Sequence, residues 1–249
     1  MSSQADLDRE VAERHAALRE RIAAAAHRAG RRPEDVALVG ACKRQPVERI
    51  VAAVRAGVRE LGENYVQETR DVRPRVEARL DPGLPRPRWS LLGVLQRNKA
   101  RAALELFELF EALDREKLAR ELDRRAAQAG RGPESPLPLL VQVNLSREPQ
   151  KGGVAEEGLA PLLEACAGLA AVRVIGLMTV PAPTPDPEGA RPAFARLREL
   201  RDRCRALPGG AHLGELSMGM SADFEVAVEE GATRVRIGTA LFGARREPA

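Results

Sequence analysis

Aromatic residues are scarce: five phenylalanines, one tryptophan and one tyrosine make up 3% of 249 residues. Stacking of bases on aromatic side chains therefore has little to work with. No basic stripe compensates, because the 40 basic and 36 acidic residues are interspersed and the net charge of +4 is small for so charged a chain. Nucleic acid is not an expected partner. Cysteine is equally sparse. Cys42, Cys166 and Cys204 are widely spaced and form no paired-ligand pattern with His15, His27 and His212, so neither a disulfide framework nor a zinc site is indicated. No apolar run approaches membrane-spanning length and the amino terminus has a charged helical pattern, which sets the expectation of a soluble cytoplasmic protein without a membrane partner.

Lysine is the sharpest shortage. Only Lys43, Lys99, Lys117 and Lys151 stand among the 40 basic residues, against 36 arginines. A chain that draws nearly all its positive charge from arginine gives each lysine added interest, since an amine can form a Schiff base and a guanidinium cannot. Lys99 and Lys151 lie beside polar loops that could attract phosphate, while Lys117 sits on a charged helix and reads as surface.

What is present is a repeating alternation. Leu7, Val11, Leu18, Ile22 and Ala25 recur at helical spacing over residues 4–29, predicting an amphipathic helix packed on the body. Short apolar runs follow at 36–41, 58–61, 89–93, 106–113, 137–144, 172–178, 213–218 and 233–238, most of them trailed by a helical segment. The prolines at 74, 82, 85 and 87 read as breaking one connection into loop. Eight strands with intervening helices is the count of a (β/α)₈ barrel, a single domain over 1–249 with residues 1–30 as an added helix. An open doubly wound sheet is the rival, but no G-x-G-x-x-G follows the first strand. If the barrel closes, the residues just after each strand share one rim, including Lys43, Asn64, Gln96, Asn144, Met178, Ser217, Ser221, Gly238 and Thr239.

The last long stretch, Leu216 to Gly243, holds two phosphate-ready loops, the Ser/Gly loop around Ser217–Ser221 and the Gly238-Thr239 turn. In such barrels the loops after strands seven and eight form the usual phosphate site. Taken alone, Gly238-Thr239 reads first as a common strand-to-helix turn with a capping hydroxyl. Arg236 alternates with Val235 and Ile237 and reads by default as an ion-pair partner inside the barrel rim. Cys42 points away from the face of Lys43 and reads as core. Tyr65 could reach the rim, but following Asn64 it reads first as packed into a helix interface.

Six motifs in order carry a resemblance over about residues 36–245: GACKRQPVERI around Lys43, GENYVQE at 62–68, LGVLQRNK at 92–99, VQVNLSREPQKGG at 141–153, VIGLM at 174–178 and the closing SMGMSAD…VRIGTALFG. Together they resemble the pyridoxal phosphate homeostasis proteins, the YggS-like or PROSC-like family, whose barrel is similar to the amino-terminal domain of fold-type III enzymes such as alanine racemase. The resemblance implies that Lys43 holds pyridoxal 5′-phosphate (PLP) as an internal aldimine. It implies that Ser217, Ser221, Gly238 and Thr239 surround the phosphate, that Arg236 faces the pyridine nitrogen, and that Asn64, Met178 and Met220 line the ring pocket. Cys42 and Ser90 depart from the family, which usually has a serine before the lysine and a histidine after the tryptophan.

The resulting expectation is a monomer that buffers PLP and delivers it to PLP-requiring apo-enzymes, with no strong turnover. Six residues follow Gly243, too few for the β-domain that supplies the opposing tyrosine base in racemase-like enzymes. A slow amino-acid racemase or decarboxylase-type barrel is the alternative of another class. A phosphosugar-binding barrel without PLP is a third.

Overall fold

The computed structural model describes residues 3–146, 148 and 152–244; Lys151 lies outside them. Eight parallel strands close in sequence order into one barrel: β1 (Ala37–Ala41), β2 (Glu60–Glu63), β3 (Arg88–Leu91), β4 (Leu109–Leu113), β5 (Leu137–Gln142), β6 (Val172–Met178), β7 (Glu215–Ser217) and β8 (Arg234–Ile237). β8 pairs back onto β1, with Leu38 opposite Val235 and Val39 opposite Arg236, which brings the two ends of the sequence side by side. The helices outside are α1 (Gln4–Arg28), α2 (Val47–Arg55), α3 (Val66–Glu77), α4 (Ala100–Leu104), α5 (Glu116–Gln128), α6 (Glu156–Ala167), α7 (Arg191–Cys204), α8 (Phe224–Glu229) and α9 (Thr239–Phe242). None of the described helices is long and apolar enough to cross a membrane.

α1 begins at a capping box. The Ser3 hydroxyl accepts from Asp6 N and the Asp6 carboxylate accepts from Ser3 N, each at 3.2 Å, which satisfies donors that a helix start leaves open. Its buried stripe of Val11, Leu18, Ile22, Ala25 and Ala26 packs against α2, α8 and α9. Arg21 and Arg28 add ion pairs to Glu225 and Glu229 of α8 at 3.0 and 2.7 Å. The helix thus covers the β8–β1 seam.

Most strands are trimmed by one to three residues relative to the apolar runs, and two boundaries and one proline show why. β2 starts at Glu60, not Val58; Val58 is buried in the approach, but the parallel ladder runs from Glu60 to Glu63 opposite Arg88 to Leu91. β4 starts at Leu109, because Leu106 and Phe107 still donate to the Ala103 carbonyl and close α4. Pro74 sits inside α3, where it is exposed, so the carbonyl its missing N–H would have bound lies on a side water can reach.

Candidate functional site

The site is at the carboxyl ends of the strands. β1 runs into a turn closed by Gln45 N donating to Cys42 O at 2.8 Å. Lys43 is the second residue of that turn and Arg44 the third, at φ 56°, a conformation usually left to glycine. The turn costs about 1–2 kcal/mol in Arg44. Cys42 points into the core, 1% exposed, with its thiol on the Gly40 carbonyl at 3.2 Å. Burial, reinforced by the nearby Glu63 charge, pushes this thiol well above its ordinary range, so it stays a neutral core group.

Among the described residues Lys43 enters no ion pair. Its ammonium instead lies 5.4 Å from the ring centroid of Tyr65. Tyr65 is 47% exposed at the start of α3, which corrects the expectation of a helix interface: the Asn64-Tyr65 step turns the ring outward over the mouth. Beside it Gly93 makes close approach possible, since a Cβ there would come within 2.3 Å of the Asn64 carbonyl. Glu63, 1% exposed, accepts from Asn64 N at 3.2 Å. Burial raises its carboxyl to about 7, against the lowering effects of that N–H and of the Lys43 charge.

On the other side, the Gly219 backbone at φ 89° bends the loop after β7 so that its carbonyl accepts from Arg236 N at 2.9 Å. The same loop presents Met220 and Ser221. The Ser221 hydroxyl accepts from Ala240 N at 3.2 Å and so joins this loop to the turn after β8. In that turn Gly238 leaves open space: an added Cβ would meet nothing nearer than the Ala41 carbonyl at 3.7 Å.

A cavity of about 420 Å³ opens here, lined by eight of the nine residues singled out in the sequence: Lys43, Asn64, Met178, Met220, Ser221, Arg236, Gly238 and Thr239. Ala41, Leu92, Val180 and Ala222 complete it. Ser217 is the exception. It is fully buried and lies beneath the lining, where its hydroxyl accepts from Arg236 Nη1 at 2.7 Å and donates to Glu111 Oε2 at 2.5 Å.

Arg236 also donates from Nη2 to the Thr179 carbonyl at 2.8 Å. It makes none of the ion pairs found among the described residues. The ion pairs fall to Arg234, one turn of the pleat away, which meets Glu60 at 3.0 Å and Glu111 at 3.1 Å. Burial holds the Arg236 guanidinium below its usual range, with the Glu111 charge working in the opposite direction.

Sequence reasoning missed Glu60, Glu111 and Thr179. One signal was available, for Glu111 is a charge in the middle of LFEAL, a run whose every residue is buried.

Residues 14–246 match the family described as alanine racemase, N-terminal domain. A pyridoxal phosphate homeostasis protein from Aquifex aeolicus is 43% identical over 94% of this chain and 98% of its own, and one from Escherichia coli K12 is 38% identical over 95% and 97%. Among solved structures, PipY of Synechococcus elongatus PCC7942 with PLP bound superimposes with a TM-score of 0.79 at 36% identity, over 94% of this chain and 100% of that one. Alanine racemase of Clostridium difficile, at 16% identity and a TM-score of 0.67 over 85% of this chain and 56% of its own, shares the fold. On this evidence the chain belongs to the family of pyridoxal phosphate homeostasis proteins, built on the alanine racemase amino-terminal barrel.

Proposed function

We propose that this protein binds pyridoxal 5′-phosphate at the mouth of the barrel and buffers it as part of vitamin B6 homeostasis. The observation that carries the reading is the convergence of one unpaired amine, two hydroxyls and one guanidinium on a single cavity of about 420 Å³, within the usual range for small-molecule sites. Bound there, the cofactor supplies an aldehyde that a lysine amine can capture reversibly. Lys43 presents that amine, unneutralised by any acid within ion-pair reach among the described residues.

Ser221 and Thr239 offer hydroxyls to the anionic end, and the open side of Gly238 admits close backbone approach. Met178 and Met220 give polarizable walls for a flat ring. Arg236 faces the ring nitrogen in this reading. A guanidinium donates a hydrogen bond without surrendering the proton, so the ring remains a poor electron sink. That favours holding over turnover. The reading extends to a cytoplasmic monomer that passes the cofactor to PLP-requiring apo-enzymes.

Saturating the purified protein with PLP, reducing with borohydride and mapping peptides tests the assignment. A visible band and a label confined to Lys43 support it; label elsewhere overturns it. Sustained racemisation or decarboxylation of amino acids at enzyme-like rates would replace buffering with catalysis.

A further inference from the structure

We infer that Glu111 is a positioning residue for Arg236, acting through the hydroxyl of Ser217, and that this buried relay sets how firmly the mouth grips the ring nitrogen of its ligand. The last clause rests on the PLP reading above.

Glu111 is fully buried in the middle of β4, and both of its oxygens are used. Oε1 accepts from Arg234 Nε at 3.1 Å and Oε2 accepts from the Ser217 hydroxyl at 2.5 Å. A serine hydroxyl has one hydrogen. With that hydrogen committed to the carboxylate, Ser217 Oγ can only accept from Arg236, which it does at 2.7 Å. The second anchor, the Thr179 carbonyl, is fixed in turn, because Thr179 donates through N to Ser217 O at 3.1 Å and through Oγ1 to Val143 O at 2.9 Å. Both terminal nitrogens of the guanidinium are therefore held from within the barrel, while the same group lines the cavity.

Charge balance points the same way. Arg234 already has Glu60 at 3.0 Å. A second buried carboxylate on Arg234 alone would add desolvation cost with nothing to balance it. Two guanidiniums, at 234 and 236, share two carboxylates, at 60 and 111, and Glu111 is the one hydrogen-bonded toward Arg236.

Three substitutions separate positioning from bulk stability. Ser217→Ala removes the bridge and keeps the Glu111–Arg234 pair. Glu111→Gln turns its amide oxygen to Arg234 and its NH₂ to Ser217, so that the hydroxyl loses its acceptor and the bridge loses its charge. Glu60→Gln removes an equal charge from Arg234 and leaves Ser217 alone. In the ligand-free protein, ¹⁵N NMR of arginine side chains should show slowly exchanging Arg236 N–H signals in the parent and in Glu60→Gln; with Nη2 still held by the Thr179 carbonyl, the Nη1 signals should be lost in Ser217→Ala and exchange faster in Glu111→Gln.

With PLP added, the dissociation constant read from the visible band should rise about tenfold in Ser217→Ala and Glu111→Gln, the scale of one charge-assisted hydrogen bond. The pH midpoint of that band should move by about one unit. Glu60→Gln should stay within about twofold of the parent on the same scale. Arg236 Nη1 signals left unchanged by both relay substitutions, or a Glu60→Gln change as large as that of Glu111→Gln, overturn the relay. A parent with protected Arg236 signals but no visible band overturns instead the PLP reading, and with it the role in gripping the ring nitrogen.

Discussion

Arg234 and Arg236 stand on the same strand and face the same barrel interior, yet they live in different layers. The lower layer is saturated: Arg234 meets Glu60 and Glu111 directly and Ser90 Oγ at 3.3 Å. In the upper layer Arg236 meets only neutral oxygens, and Lys43 meets the face of a tyrosine. Glu111 and Asp223 act on Arg236 only through space, and Glu63, the acid beside Lys43, is raised by burial to about 7, with much of it protonated near neutrality. One layer therefore closes on itself, and the other keeps a positive potential turned toward the mouth. A low-dielectric cleft with such a surplus is suited to a phosphate dianion.

The largest expected effect breaks the upper layer. Lys43→Ala should abolish borohydride-fixed PLP while moving stability by no more than about 0.5 kcal/mol, as for other substitutions away from the core. Intact-mass spectrometry and thermal melts check both halves. Breaking the lower layer should act first on stability. Glu111→Ala leaves Arg234 with one carboxylate and Ser217 without its acceptor, at a cost of about 3–5 kcal/mol, readable as a shift of the urea midpoint.

A smaller effect concerns pH. The Glu63 carboxyl rises from 4.5 to about 7 on folding, so between those values the folded state binds more protons than the unfolded one. Stability from this group is complete below pH 4.5 and is lost as pH rises through about 7, a change of up to about 3 kcal/mol. Glu63→Gln should flatten that slope in urea titrations across the range. The least effect belongs to the outer skin, where Arg32 and Asp35 pair at 2.6 Å in full solvent. Asp35→Asn should leave the melting temperature unchanged, and a measurable loss there would blur the contrast between skin and interior.

The barrel was legible because each strand is a short apolar run in the midst of charge, and the rim followed from strand ends alone. The motifs carried Lys43, Ser221, Gly238 and Thr239 to one cavity. What periodicity could not give was side-chain depth. Ser217 and Ser221 look alike in SMGMSAD, but Ser217 ends β7 facing inward while Ser221 lies beyond the bend at Gly219. Glu60 and Glu111 were invisible for another reason: their partner is at 234, and no local pattern announces a contact across the barrel. The exposure of the Tyr65 ring was not legible because the backbone beside it packs against Gly93, a residue later in the sequence.

The seam between β8 and β1 has a consequence for synthesis. Lys43 emerges among the first elements made, whereas Arg236, Gly238 and Thr239 are among the last, and only pairing of the two strands brings them together. An unfinished chain on the ribosome can thus display the amine without the anion cradle. The cavity is therefore completed only by a contact between the distant ends of the fold, which closes late.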